Sequence, residues 1–143
     1  MPCALNYCVQ CDSAFQTRAA HVHGWLGRNP FVLDVTRDQQ SNWRLNGKAA
    51  PAVRGCIDVD INISPSTNLL SIRRLSPREG TPLTVRAAWL AFPQKKFTPL
   101  EQVYTRTSPT TFDYAAPSLR FTSRLVVDRH GMVLEYPPLW TQA

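Results

Sequence analysis

The chain has 143 residues, enough for one domain around one core and too few for two ordinary ones. Its net charge is +6, with 13 arginines and 3 lysines, but the arginines stand singly rather than in a patch, so no nucleic-acid footprint is expected. No apolar run approaches the roughly 18 residues that a membrane-spanning helix needs. Met1 to Gln10 lack the basic and apolar stretches of an export signal, which makes the cytoplasm the expected compartment. There Cys3, Cys8, Cys11 and Cys56 are expected to be reduced thiols.

Helical periodicity is nearly absent, whereas short apolar–polar alternations recur between turn signals, the pattern of an antiparallel all-β domain. In chain order the predicted strands are Leu5–Gln10, Thr17–His23, Phe31–Thr36, Trp43–Leu45, Gly55–Ile63, Ser71–Leu75, Leu83–Phe92, Leu100–Arg106, Phe112–Tyr114, Leu119–Asp128 and Met132–Tyr136. The punctuation between them includes Gly27-Arg28-Asn29-Pro30, Asn46-Gly47, Pro65-Ser66-Thr67-Asn68 and Asp128-Arg129-His130-Gly131. Leu119 to Tyr136 is the clearest hairpin, because Leu119, Phe121, Ser123, Leu125 and Val127 alternate cleanly before the Asp-Arg-His-Gly turn.

The densest chemistry lies between Gly55 and Leu75. On a strand, Ile57, Val59, Ile61 and Ile63 would share one face while Asp58, Asp60 and Asn62 line the other. Arg73 and Arg74 follow a turn, about where a returning strand would bring guanidinium groups to those carboxylates. Asp58, Asp60, Asn68, Arg73 and Arg74 are therefore assigned to a structural polar network. Asp58-x-Asp60-x-Asn62 opens like a calcium loop, but Ile63 and Leu69 occupy the places that need Gly and Glu. Cys8-x-x-Cys11 is half of a zinc site whose only completions would be Cys56, His21 and His23. No metal and no cofactor are expected.

The chain has no Gly-x-Ser-x-Gly elbow, no glycine-rich phosphate loop and no His-Glu-x-x-His. His21 and His23 share a strand face and would give a small hydrolase if they met Asp58 or Asp60. Trp25, Trp43, Trp89, Trp140, Tyr104, Tyr114 and Tyr136 either pack the core or wall a pocket.

Several of these motifs, in their order, resemble those of the bacterial "putative glycolipid-binding" family. They are Gly55-Cys-Ile-Asp-Val-Asp-Ile61, Pro65-x-Thr67-Asn68, Ile72-Arg-Arg-Leu75, Gln102-Val-Tyr-Thr105, Val127-Asp-x-x-Gly131-x-Val133 and Tyr136-Pro-Pro-Leu-Trp140. Trp43-Arg-Leu-Asn-Gly47 and Tyr114 also fit, and the likeness is thinner from Tyr7 to Asp38. The resemblance implies one all-β domain over residues 1–143, its many antiparallel strands rolled into a curved sheet or incomplete barrel, similar in outline to lipoprotein-carrier proteins. It also implies a shortened form lacking the family's first strands, which would bare a sheet edge open to homodimerisation. Ser71 departs from the family, which tends to have Pro there.

The expected function is binding of a glycolipid or similar amphiphile in a β-roll cavity, without catalysis. The walls would come from Trp89, Phe92, Tyr104, Phe121 and Leu125, with Arg124 on a polar rim for the headgroup. The alternatives are the hydrolase built on His21 or His23 with Asp58 or Asp60, and a structural or interaction domain.

Overall fold

A computed structural model describes all 143 residues. Twelve strands form two sheets. The first has the order β1-β2-β3-β4-β5, from β1 (Cys3–Cys11), β2 (Thr17–Leu26), β3 (Asn29–Arg37), β4 (Trp43–Leu45) and β5 (Lys48–Ala49). The second runs β12-β11-β10-β9-β8-β7-β6 and curls into a half-barrel. Its strands are β6 (Val59–Ile61), β7 (Leu83–Ala91), β8 (Lys96–Ser108), β9 (Thr111–Ala116), β10 (Phe121–Val127), β11 (Val133–Tyr136) and β12 (Trp140–Thr141). The fold is all-β, as expected, and the Leu119–Tyr136 hairpin forms as the β10–β11 pair.

One pairing departs from the antiparallel rule. β6 runs parallel to β7, and the crossover between them carries the single α-helix, α1 (Asn68–Leu75). The expected strand at Ser71–Leu75 is thus a helix, and Gly55–Leu75 is a strand followed by a helix rather than a hairpin. Local chemistry explains the correction. A 3-10 turn, Pro65–Thr67, leads into the helix: the Ser64 side chain accepts from the Ser66 N–H, and Pro65 opens that turn, where its missing donor costs nothing. At the other end Ser76 takes a left-handed conformation, its N–H donates to the Ile72 carbonyl, and Pro77 prevents continuation. Arg73 and Arg74 occupy the last turn, where cations suit the helix dipole.

β6 and the second half of β7, from Ala87 to Ala91, are covered on both faces and so divide two cores. Val59, Ile61, Ala88 and Leu90 pack against Ala20, Val22, Val35 and Trp43 of the first sheet. On the other side Val85, Leu100, Tyr104, Phe112 and Leu125 fill the closed end of the half-barrel. Arg37 and Trp43 tie the Cys56 segment to the first sheet: the Arg37 Nε and Trp43 Nε1 both donate to the Cys56 carbonyl, at 3.2 and 2.9 Å. Arg37 is buried and makes no ion pair, its remaining donors going to Thr17 O, Ser41 Oγ and Gln16 Oε1.

Gly24 explains the closeness of β1 to β2, since a Cβ there would lie 2.0 Å from the Ala4 carbonyl oxygen. Beyond β1 the first sheet has no further strand. All four cysteines are free thiols, three of them exposed on β1.

Candidate functional site

The polar side of the β6 segment faces the half-barrel, and its two carboxylates have different surroundings. Asp58 is buried under α1. It accepts two bonds from Arg74, Nε at 3.1 Å and Nη2 at 2.6 Å, and a third from Ser71 Oγ at 2.8 Å. This is a bidentate, charge-assisted pair, held because α1 presents Ser71 and Arg74 one turn apart on one side. Ser71 therefore supplies a hydroxyl donor to Asp58.

Asp60 has no cation. Gln102 Nε2 donates to its Oδ2, and Thr67 Oγ1 lies 3.5 Å from its Oδ1. Behind Gln102 the donors run in one direction: Asn68 Nδ2 donates to the Tyr104 hydroxyl at 2.7 Å, and that hydroxyl donates to Gln102 Oε1 at 3.3 Å. The chain of bonds ends on the Asp60 carboxylate. Burial, with Asp58 nearby, still outweighs these donors and pushes the Asp60 carboxyl up to about 6. Burial also pushes the phenols of Tyr104, Tyr114 and Tyr136 up, so all three remain neutral hydroxyls at ordinary pH.

Asp60 opens onto a cavity of about 410 Å³ at the open end of the half-barrel. Asp60, Asn68, Leu100, Tyr114 and Ala116 line its inner part, where all but Asp60 are buried. Trp89, Phe121, Tyr136 and Trp140 form the walls, and Ile63, Leu119 and Leu139 the exposed rim. Phe121, Tyr114 and Tyr136 pack edge to face around one side. Among the fifteen lining residues Asp60 is the sole charge, and no Lys, Arg or His is present.

Of the expected wall residues, Trp89 and Phe121 line this cavity. Tyr104 and Leu125 are fully buried behind the wall. Phe92 points the other way, into the core beneath the first sheet, with its ring 5.5 Å from Phe31. Arg124 is on the outer face of β10, paired with Asp113 at 3.1 Å, because it alternates with the inward Phe121 and Leu125. It supplies no rim cation. Within the polar network Arg74 reaches Asp58 while Arg73 does not. Arg73 stacks over Phe15 and donates to the His130 carbonyl, pinning the β10–β11 turn to α1. Gly131 fits that turn through a positive φ and close approach to Ile72 and Leu69.

The histidine–aspartate hydrolase does not assemble. His21 and His23 lie on the solvent face of β2, His21 bonded to Asp34, whereas Asp58 and Asp60 are enclosed on the far side of the Ala20–Val22 core. No three His, Cys, Asp or Glu side chains come together in a metal-holding group. Tyr114, Tyr136 and Trp140, which the sequence left between core and pocket wall, line the cavity, and Gln102 carries a site role that the sequence motifs did not assign. For Gln102 the signal was parity: it shares a strand face with Leu100 and Tyr104, so it had to be buried and hydrogen-bonded.

The fold and cavity define a class: a β half-barrel with a largely apolar cavity and a single carboxylate at its inner end. Comparison with known proteins gives the family. The model of the family described as "Putative glycolipid-binding" matches residues 1–142, and the chain belongs to that family. A solved structure of a DUF1089 family protein from Pseudomonas aeruginosa is similar throughout, with 31% identity and a TM-score of 0.90. The match covers 97% of this chain and 77% of that one. No curated protein matched.

Proposed function

We propose that the protein binds a lipid-like amphiphile, of the glycolipid kind that its family's name describes, without chemically changing it. The observation that carries this reading is the 410 Å³ cavity, whose apolar aromatic walls lead to one set of polar groups. That size and lining suit a small-molecule receptor. Ten of the fifteen lining residues are hydrophobic, and a ligand burying them gains the transfer energy that an open cavity forgoes.

The test is native mass spectrometry of the purified protein, with organic extraction and lipid analysis of the same sample. The reading expects a discrete co-purifying mass, or uptake of added lipid, that a Trp89→Asp variant loses. A clean apo mass that takes up no lipid would overturn it and favour an interaction domain.

A further inference from the structure

This inference rests on the amphiphile reading and concerns which end of the ligand enters and what charge it carries. We infer that the cavity takes the polar head first, that this head is uncharged and rich in hydroxyl groups, and that the tail leaves over Ile63, Leu119 and Leu139.

Three observations support the orientation. The cavity holds about 410 Å³, near the lower end for ligand pockets, so it encloses one end of an amphiphile and leaves the rest outside. Its inner end is polar, with the Asp60 carboxylate, the Asn68 amide and the Tyr114 hydroxyl. Its rim presents apolar side chains, with Leu139 65% exposed and Leu119 48% exposed, while the polar groups beside them are already engaged, Asn62 with the Phe92 backbone and Ser64 with Ser66. A tail pushed inward would cover the carboxylate with hydrocarbon and leave its free lone pairs without a donor, which is unfavourable. A head pushed inward places hydroxyl donors on Asp60 while Trp89 and Phe121 cover the apolar faces of the head.

The charge preference follows from what faces the cavity. Gln102 and Thr67 already supply donors to Asp60, and every other polar lining group is neutral. A phosphate or carboxylate head would meet Asp60 with no cation to offset the repulsion, because Arg74 is committed to Asp58 and Arg124 lies outside. Hydroxyl groups donate to the carboxylate and accept from the tyrosines and Asn68, so they match the available partners.

The experiment compares probes sharing one octyl chain: octyl β-glucoside and octyl phosphate, each below its micelle concentration at pH 7.5. Binding is read by calorimetry and by fluorescence of the lining Trp89 and Trp140. The expected result is at least ten-fold tighter binding of the glucoside, with Asp60→Asn narrowing that ratio by about ten-fold. Leu139→Asn at the rim should weaken both probes and leave the ratio near its wild-type value. Circular dichroism and a cooperative melt establish that each variant is folded. If Asp60→Asn does not fold, Gln102→Leu, which removes a donor from the same carboxylate, is expected to shift the ratio instead. Octyl phosphate binding as tightly as the glucoside, or a ratio unmoved in folded Asp60→Asn or Gln102→Leu, overturns the head-inward inference while the amphiphile reading stands. Binding of neither probe, together with no co-purifying lipid, overturns both.

Discussion

Asp58 and Asp60 stand two residues apart on one side of an extended segment, yet one is fully compensated and the other is not. Asp58 takes three donors from α1, including both arms of the Arg74 guanidinium. Asp60 takes a neutral amide and a distant hydroxyl, and faces a cavity. The difference arises from reach. A helix of 8 residues crossing over the first acid places its last-turn arginine there and cannot serve the second. Asp58 therefore belongs to the fold, and Asp60 retains acceptor capacity toward the cavity.

Breaking the first half of this comparison has the largest expected effect. Arg74→Ala leaves a buried carboxylate without its cation and should destabilise by about 3–5 kcal/mol in urea unfolding. Arg73→Ala, removing an exposed arginine that touches no carboxylate, should cost no more than about 1 kcal/mol. Equal losses from the two variants would show that the network is wrongly partitioned.

The second half should respond with the opposite sign. Asp60 is raised from 3.8 to about 6, so folding disfavours its ionised form. Below about pH 4 it is protonated in both the folded and unfolded chain, and its contribution is complete; as pH rises through about 6 that contribution is lost. Asp60→Asn should therefore raise stability by about 2–3 kcal/mol at pH 8 and change it little at pH 4, as read by denaturant midpoints at the two pH values.

Gly24→Ala comes next. The 2.0 Å approach to the Ala4 carbonyl forces β1 outward, at about 1–3 kcal/mol, and hydrogen exchange should rise in β1 before it rises elsewhere. Leu139→Ser, at an exposed rim position, should move stability by less than about 0.5 kcal/mol yet weaken an octyl-chain ligand about five-fold, by calorimetry. The smallest effect concerns self-association. We propose weak pairing through the free edge of β1, seen as a scattering mass that rises with concentration; a dilution-resistant monomer would contradict it.

The regular strands were legible because period-two alternation survives wherever one face meets solvent. β2 shows this in Ala20 and Val22 against His21 and His23. The helix was not, because 8 residues carry too little periodicity to outweigh a β-rich surrounding, although Ser64-Pro65 marked the 3-10 turn that leads into it and Ser76-Pro77 marked its end. The cavity was half legible. Parity separates Trp89 of β7 from Phe92 just beyond it, and Phe121 from Arg124 on β10, but β7 is covered on both sides from Ala87 to Ala91, so alternation cannot say which side is the closed core and which the cavity. The special status of Asp60 depended on where α1 reaches, a long-range fact that no local pattern carries.

The most direct test of this division is a paired unfolding measurement on Asp58→Asn and Asp60→Asn at pH 8. The account expects opposite signs: a loss of about 3 kcal/mol for Asp58→Asn, which strands Arg74, and a gain of about 2–3 kcal/mol for Asp60→Asn. Two losses of similar size would contradict it, because Asp60 would then be a second structural anchor and not the carboxylate reserved for a ligand.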